Sequence, residues 1–291
     1  MKNKWIHAAR PKTLTAASMP VLTATALAWH DDVFKPIAAL SCIAFALLAQ
    51  IAANFANDYF DFKGGIDTDE RLGPPRAVAM GWVTPKAMLR ATFAALALAC
   101  LCGLALISYG GWTMIWVGLA CVFFACLYST GPYPLSRYGL GDVFVLIFFG
   151  FVPVLFTYYV QGNSFPVSAW LLGGMMGLLS INILITNNFR DIDTDRKTNK
   201  YTSIVLLGKG FGKWFYFATG VLATGLFYYY FASSGAMFIG LISVLYLLLH
   251  ITTWREMIRI DHGRELNKIL GLTSRNLLVF AVLYVVGLIF G

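Results

Sequence analysis

The chain's architecture is decided by residues 170–196, WLLGGMMGLLSINILITNNFRDIDTDR. An apolar run, Trp170 to Thr186, ends directly in a polar phrase, Asn187 to Arg196, that holds three carboxylates. Residues 57–71, NDYFDFKGGIDTDER, repeat this phrase with an insertion. The shared pattern is Asn, Asn or Asp, an aromatic residue, any residue, Asp, and later Ile-Asp-Thr-Asp. Because the two copies hold eight of the 14 acidic residues, we interpret them as an internal repeat that concentrates negative charge in two places.

The composition excludes an ordinary water-soluble domain, since 58% of residues are hydrophobic, 12% are charged and the mean hydropathy is +0.69. A membrane-spanning helix needs about 20 mostly apolar residues. The stretches that come close to this length are roughly 15–30, 36–56, 87–108, 112–130, 140–160, 168–187, 212–231, 235–253 and 274–291. We therefore predict an all-α integral membrane protein with nine transmembrane helices, arranged as two four-helix repeats plus one, in a single domain over residues 1–291.

The basic residues predict the orientation. Every Lys and Arg except Lys35 falls on the side that holds the N-terminus and both acidic phrases. The positive-inside rule places that side in the cytoplasm, with the protein multi-pass in the inner (plasma) membrane and its C-terminus on the far side. No cleavage site follows the first apolar run, which predicts a retained span and no signal peptide. The formal charge of +8 is explained by these flanking residues, so we predict no nucleic-acid partner.

Polar side chains follow one face of two predicted spans. In the second span they recur at spacings of three and four: Gln50, Asn54, Asn57, Asp58 and Asp61. In the sixth, Asn187, Asp191 and Asp195 share a face if the helix continues past the membrane. Polar stripes in spans face the bundle interior or a cavity. Because the phrases follow the second and sixth spans, they emerge on one side and can meet across one cavity.

The acidic phrases predict a metal-dependent reaction on a phosphate compound. Paired aspartates on facing helix ends provide the hard oxygen ligands of Mg²⁺ or Mn²⁺, and the interspersed Lys and Arg suit a phosphate group. Carboxylates and a polyanion repel each other, so a divalent metal is needed between them. Metal and cations together stabilise a departing diphosphate, which indicates ionisation of an allylic diphosphate.

Three alternatives compete with this interpretation. Any single aspartate is readily explained as a solvated loop charge, but two copies of one phrase at equivalent places are not. A calcium loop fits Asp191, Asp193 and Asp195, yet Arg196 and Thr202 occupy the positions that require Gly and Glu. An ion-coupled transporter also has helical repeats and acidic residues, but its sites lie near the bilayer midplane. No charged residue lies near the middle of a predicted span, which favours the enzyme.

The motifs resemble those of the UbiA superfamily of intramembrane aromatic prenyltransferases. That family has Asn-Asp-x-x-Asp and a further Asp after the second span, and Asp-x-x-x-Asp after the sixth. The matching residues here are Asn57, Asp58, Asp61, Asp191 and Asp195. In the commonest form the further Asp lies four residues on, where this chain has Gly65, and an acid appears at Asp67 instead. The resemblance covers all nine predicted spans and implies a bilayer enzyme that uses Mg²⁺, or Mn²⁺, and a polyprenyl diphosphate.

Within this family, three stretches resemble the enzymes that prenylate 1,4-dihydroxy-2-naphthoate in menaquinone synthesis. They are Arg10-Pro11-x-Thr13-Leu14, Arg71-x-Gly73-Pro74-x-Arg76, and Gly131-Pro132-x-Pro134-Leu135 with Gly139-Leu140-Gly141-Asp142. The resemblance implies prenyl transfer to the carbon that bears the carboxylate, with loss of CO2, to give demethylmenaquinol. A 4-hydroxybenzoate acceptor, which would keep its carboxylate, is the alternative within the family.

The resemblance also implies roles for individual residues. The implied metal ligands are Asn57, Asp58, Asp61, Asp67, Asp191 and Asp195; the implied catalytic residues are Asp61, Asp191, Asp195 and Tyr128. The implied substrate-binding residues are Arg10, Asn54, Asn57, Lys63, Arg76, Ser129, Arg137, Asn188 and Lys200. Three of these basic residues, Arg76, Arg137 and Lys200, have a competing interpretation as membrane-flanking charges. The basic segment 255–275 is expected to lie along the membrane surface or to cover the site as a lid.

Overall fold

The computed structural model describes residues 4–65, 72–129 and 135–291. Within these ranges the chain is built from helices, and its β structure is one isolated bridge between Tyr138 and Tyr201. The helices are α1 Lys4–Ala9, α2 Pro11–His30, α3 Pro36–Lys63, α4 Pro85–Ala105, α5 Ile107–Gly110, α6 Thr113–Ser129, α7 Gly141–Leu146, α8 Val152–Gly162, α9 Val167–Arg190, α10 Ile192–Lys197, α11 Ser203–Ser233, α12 Met237–Gly240, α13 Ser243–Ile260 and α14 Leu266–Phe290. A 3₁₀ turn, Leu135–Arg137, precedes α7, and a π-helical turn, Ile147–Phe151, joins α7 to α8.

The predicted all-α membrane class is confirmed. Six helical segments of the described chain are long and apolar enough to cross a membrane: Pro36–Lys63, Pro85–Gly110, Gly141–Gly162, Val167–Arg190, Met237–Ile260 and Leu266–Phe290. Thr113–Ala125 is apolar but shorter. The predicted number of nine is not confirmed. Helices α2 and α11, which correspond to the first and seventh predicted spans, are not among these six, although both pack within the same bundle.

Two helices start before the spans predicted for them. Helix α11 begins at Ser203, because the Thr202 side chain accepts the Val205 N–H at 3.2 Å and caps it. It is interrupted at Gly208, with φ 86° and ψ 167°, so its long continuous part begins shortly before the predicted 212. The ninth begins at Leu266 and not near 274. Residues 255–275, expected to be a surface segment or lid, are instead the end of α13, a short turn and the start of α14. Polar residues at these helix ends were mistaken for a loop.

Helices α2 and α14 lie side by side and are joined at both ends. At the end near the acidic phrases, the Ser274 hydroxyl donates to the Lys12 carbonyl at 3.1 Å. At the opposite end, His30 Nδ1 lies 3.0 Å from the Leu288 carbonyl oxygen. The seam therefore closes the bundle between its first long helix and its last.

Helix α9 approaches the π-helical turn closely. A Cβ atom on Gly150 would lie 2.6 Å from the Gly177 Cα and 2.5 Å from the Gly173 carbonyl oxygen. Small residues at such contacts let membrane helices pack backbone to backbone. This contact fixes the α7–α8 segment against α9.

A buried hydrogen-bond network joins α9, α11, α13 and α14. The Thr219 hydroxyl donates to Asn182 Oδ1 at 2.6 Å, and the hydroxyl groups of Tyr216 and Thr273 lie 2.9 Å apart. The His250 ring stacks on Tyr216 with 4.7 Å between the ring centroids. Such interhelical hydrogen bonds satisfy polar groups that lipid cannot, so the second half of the bundle is held as one framework.

Candidate active site

A cavity of about 340 Å³ lies among α2, α3, α4, α6, α7–α8 and α9. Most of its wall is apolar, including Phe45, Phe124 and Phe148. Asn57 and Asn187, which begin the two copies of the acidic phrase, both line it. The two phrases therefore start at one cavity, as the repeat predicts.

Arg10 is the only charged residue among the described residues that line this cavity. It precedes Pro11 at the start of α2 and adopts a left-handed conformation with φ 51° and ψ 74°. Residues other than glycine rarely have a positive φ, and those that do are usually held in that conformation by the surrounding structure. The corner between α1 and α2 thus brings a guanidinium group to a mostly apolar cavity.

Asn54 holds this corner in place. Its side-chain amide donates to the Ala9 carbonyl at 2.8 Å and to the Thr13 hydroxyl at 3.0 Å, while Gln50 donates to its Oδ1 at 3.2 Å. Asn54 is buried and also lines the cavity. Its contacts connect α3 to Ala9, the last residue of α1, and to Thr13 in the first turn of α2, on either side of Arg10.

At the end of α3, Asp61 forms an ion pair with the Arg76 guanidinium, which is 7% exposed. Asp58 points to a different partner, since its two carboxylate oxygens accept the backbone N–H groups of Ala77 and Val78 at 2.9 and 3.0 Å. Lys63, in the last turn of α3, is exposed. The predicted ligand Asp67 lies outside the described residues.

At the end of α9, the helix breaks at Asp191 with φ −94° and ψ 10°. Hydrogen bonds of the helical spacing nevertheless continue, from Asp191 N to Asn187 O at 3.0 Å and from Asp195 N to Asp191 O at 2.7 Å. Asp193 is exposed, whereas Asp195 is buried. Asp191 and Asp195 are therefore more buried than Asp193, as expected if the two share a face, although the predicted continuous helix is interrupted at Asp191.

Arg190 binds Asp191 with two nitrogen atoms, at 2.7 and 2.6 Å, and its third donates to Asn267 Oδ1 at 2.8 Å. Asn267 in turn donates to the Leu72 carbonyl at 2.8 Å. Neighbouring Asn188 is buried. These contacts join the end of α9, the start of α14 and the chain after the first acidic phrase.

Asp195 is held by Lys200, whose Nζ lies 3.1 Å from both carboxylate oxygens. Burial raises the pKa of Asp195, and the Lys200 charge opposes that increase. The next residue, Tyr201, donates its N–H to the Arg137 carbonyl at 3.0 Å, so the structure brings Lys200 and Arg137 to adjacent segments. Tyr128 and Ser129 end α6, and their side chains lie outside the described part of the chain, as do residues 131–134.

Each of these three motif carboxylates therefore pairs with a basic side chain: Asp61 with Arg76, Asp191 with Arg190 and Asp195 with Lys200. Among residues 4–65, 72–129 and 135–291, no three His, Cys, Asp or Glu side chains form a group that could hold a metal ion. The donor chemistry still fits Mg²⁺, because carboxylate and amide oxygens are its ligands. The same arrangement supplies cations for a phosphate group.

Sequence reasoning missed Arg190 and Asn267. Arg190 carried a signal, since an arginine directly before a motif aspartate at a helix end is well placed to pair with it. Asn267 carried none, because it lies 77 residues from Arg190 and 195 from Leu72.

Comparison with known proteins gives a consistent result. The profile of the UbiA prenyltransferase family matches residues 17–274. The chain is 37% identical over 211 residues to the 1,4-dihydroxy-2-naphthoate octaprenyltransferase of Escherichia coli, covering 70% of this chain and 68% of that protein. It is 39% identical over 207 residues to the Mycobacterium tuberculosis enzyme of the same name, covering 70% of each. A UbiA homologue from Archaeoglobus fulgidus, solved with GPP and Mg²⁺, has the same fold at a TM-score of 0.71 and 14% identity, covering 99% of this chain and 100% of that one.

Proposed function

We propose that this chain, which belongs to the UbiA prenyltransferase family, transfers a polyprenyl chain from its diphosphate to 1,4-dihydroxy-2-naphthoate with loss of CO2. The product is demethylmenaquinol, a precursor of menaquinone. The observation that carries the proposal is the meeting of Asn57 and Asn187 at one largely apolar cavity. The names of the relatives from Escherichia coli and Mycobacterium tuberculosis support the choice of acceptor.

The donor diphosphate binds at the cytoplasmic ends of α3 and α9. Asn57, Asp61, Asp191 and Asp195 would hold Mg²⁺, or Mn²⁺ in its place, and the bound metal would stabilise the charge of the departing diphosphate. The relative from Archaeoglobus fulgidus, solved with GPP and Mg²⁺, supports this pairing of metal and prenyl diphosphate.

The cations that now pair with the carboxylates serve the phosphates. Arg76, Arg190 and Lys200 lie within contact of the predicted ligands. With the carboxylates holding metal, these side chains would be available to the diphosphate oxygens, and the charge of the site would stay balanced. Arg137, on the segment next to Lys200, adds positive charge nearby.

Arg10 binds the carboxylate of the acceptor, because it brings a guanidinium group to a cavity whose walls suit rings and a prenyl chain. The donor C–O bond breaks, and the ring carbon that bears the carboxylate forms a bond to the allylic carbon. The bond to the carboxylate then breaks, CO2 leaves, and the electron pair returns to the ring. The ring recovers its aromaticity as the hydroquinone.

The test is a competition in detergent with purified protein, Mg²⁺ and a polyprenyl diphosphate. 1,4-Dihydroxy-2-naphthoate labelled in its carboxyl group and 4-hydroxybenzoate are supplied together. We expect one labelled CO2 for each prenylated naphthoquinol, and exclusive use of 4-hydroxybenzoate would overturn the proposed acceptor. Prenyl transfer in detergent also separates the enzyme from the transporter, because transport needs two compartments.

The bilayer placement completes the proposal. The active site faces the cytoplasm of an inner-membrane protein, where soluble acceptor and lipid-borne donor meet. Cysteine labelling of a variant with a single added cysteine at exposed Asp193, from each side of membrane vesicles, measures this directly. Labelling only from the outside of right-side-out vesicles would contradict it.

A further inference from the structure

We propose that Asp58 is a positioning residue that fixes Arg76, and that it is not a ligand of the metal. The role of Arg76 toward diphosphate rests on the proposed function, whereas the role of Asp58 toward the backbone rests on geometry alone. The family pattern places Asp58 beside Asn57 and Asp61, and it implied that all three bind metal.

The two oxygens of Asp58 are directed at the protein backbone. Oδ2 accepts the Ala77 N–H at 2.9 Å, Oδ1 accepts the Val78 N–H at 3.0 Å, and the residue is 1% exposed. A metal ligand needs an oxygen that reaches the bound ion. Asn57 lines the cavity, but Asp58 is not among the described residues that do.

The segment that Asp58 holds is a compact turn with buried amides. Ala77 and Val78 are 0% and 3% exposed and lie in a small core with Ala8 and Met88. Buried N–H groups outside regular helices need a partner, and leaving them without one is costly. A carboxylate that accepts two successive N–H groups meets this need and fixes the direction of the peptide.

Fixing that peptide fixes Arg76, the residue directly before Ala77. Its guanidinium reaches Asp61, which lies three residues after Asp58 on α3. One turn of α3 therefore holds the segment twice, through its backbone at Asp58 and through its side chain at Asp61. With Asp61 engaged by metal, the backbone contacts of Asp58 would still hold Arg76 at the site.

The first test measures hydrogen exchange of the peptide that covers residues 76–83, in detergent and without substrate. Asp58→Asn replaces one acceptor oxygen by a donor, so we expect exchange to become at least about tenfold faster. Asp61→Asn, the matched variant, keeps both backbone contacts of Asp58 and weakens only the side-chain contact to Arg76, so we expect it to speed that exchange much less than Asp58→Asn does. Equal exchange in the wild type and Asp58→Asn would overturn the proposal.

The second test measures metal directly, by electron paramagnetic resonance of Mn²⁺ with unreactive diphosphate present. Asp58→Asn keeps the wild-type affinity within about twofold, while Asp61→Asn loses at least about tenfold. An equal loss in both variants would assign Asp58 to the metal. If Asp58→Asn fails to fold, the wild-type protein provides the test. Binding of a metal by Asp58 would release the N–H groups of Ala77 and Val78. Much faster exchange at residues 76–83 on adding Mn²⁺ would therefore also overturn the proposal.

The third test separates positioning of Arg76 from general damage. Asp58→Asn raises the KM for prenyl diphosphate about tenfold with an unchanged Mg²⁺ requirement, and it adds nothing in an Arg76→Ala background. Additive losses would show that Asp58 acts independently of Arg76. A wild type that makes no prenylated product would refute the proposed function, and the exchange and Mn²⁺ results would still decide the role of Asp58.

Discussion

The two halves of the bundle carry the same acidic phrase but are packed differently. In the most apolar stretch of α3 and of the α4–α5 segment, 17% and 22% of residues are buried. In the second half the share is 39% in the α7–α8 segment, 72% in α9, 28% in the α12–α13 segment and 50% in α14. Helices of both halves line the cavity, with Asn57 from the first half and Asn187 from the second, but the hydrogen-bond network of Asn182 and Tyr216 lies in the second half. Both halves therefore contribute carboxylates to the site, whereas the buried hydrogen-bond network lies in the second half.

The largest effect, on turnover, is expected at the aspartates that the two copies of the acidic phrase have in common. Asp61→Asn and Asp191→Asn each remove one anionic ligand and one partner of an arginine, so turnover should fall at least about 100-fold in both. Removing Mg²⁺ with a chelator should have the same result. Steady-state assays with thermal unfolding as the check on folding measure this.

Asp193→Asn is the matched control, because Asp193 is exposed and faces away from its neighbours. It should keep most of the activity. Full activity in either Asp61→Asn or Asp191→Asn would break the equivalence of the two ends and remove the basis of the mechanism.

The next largest effect is expected for a substitution in the first half that fills part of the cavity. Gly118 on α6 lines the cavity, and a Cβ there meets open space. Gly118→Leu should therefore fill part of the prenyl site and raise the KM for long polyprenyl donors about tenfold, with less effect on a ten-carbon donor.

Gly225 on α11 offers a matched control, since it is exposed on a helix and also has open space beside it. Gly225→Leu should leave both donors unaffected. Equal effects of the two substitutions, or no dependence on chain length at Gly118, would show that this cavity does not hold the prenyl chain.

A smaller effect, on stability, is expected for a substitution in the buried hydrogen-bond network of the second half. Asn182→Leu removes the interhelical acceptor of the Thr219 hydroxyl at 2.6 Å and leaves only carbonyl acceptors on α11 itself, which should lower the free energy of unfolding by about 1 kcal/mol. Gln50→Leu, at the cavity, should change stability less, because Gln50 is only partly buried. Thermal unfolding in detergent measures both, and a reversed order would mean that the first half is the framework.

The smallest effect is expected at the ion pairs that join α11 to Asp261 at the end of α13. Lys213 and Lys209 hold Asp261, with Nζ–carboxylate distances of 2.7 and 3.3 Å, and their contacts lower its pKa below the usual 3.8. A lowered pKa means that the ion pair stabilises the fold above about pH 4, and that this is lost as pH falls through the folded-state value. Asp261→Asn should cost about 0.5 kcal/mol at neutral pH, since the site is partly exposed.

The unfolding curves of wild type and Asp261→Asn, followed from pH 7 downward, test the sign. The difference between them should shrink at acidic pH. A difference that grows on acidification would show that Asp261 stabilises the fold by an interaction other than these ion pairs.

The sequence was informative where a feature depends on local spacing. The repeat of the acidic phrase after the second and sixth predicted spans indicated that Asn57 and Asn187 lie at one cavity. The spacing of four residues indicated that Asp191 and Asp195 share a face. Helix ends were less accurate, since the cap at Thr202 competes with a hydropathy signal that fades beyond the membrane. The roles of Tyr128, Ser129 and Asp67 stay predictions.

Partners that come from distant parts of the chain could not be predicted. The Asp58 carboxylate meets amides 19 and 20 residues away, and Asn267 reaches Arg190 only after α14 has packed. Composition and spacing say that such charges exist, but only the packed fold decides which donor each carboxylate meets.

The seam between α2 and α14 has a consequence for biosynthesis. A ribosome delivers α2 to the membrane long before α14, yet Ser274 and Leu288 of α14 supply the groups that meet Lys12 and His30 of α2. One flank of α2 therefore faces lipid, or an insertion chaperone, while the remaining helices are made. Until α14 is inserted, the Lys12 carbonyl and the His30 ring lack the partners that they have in the folded bundle.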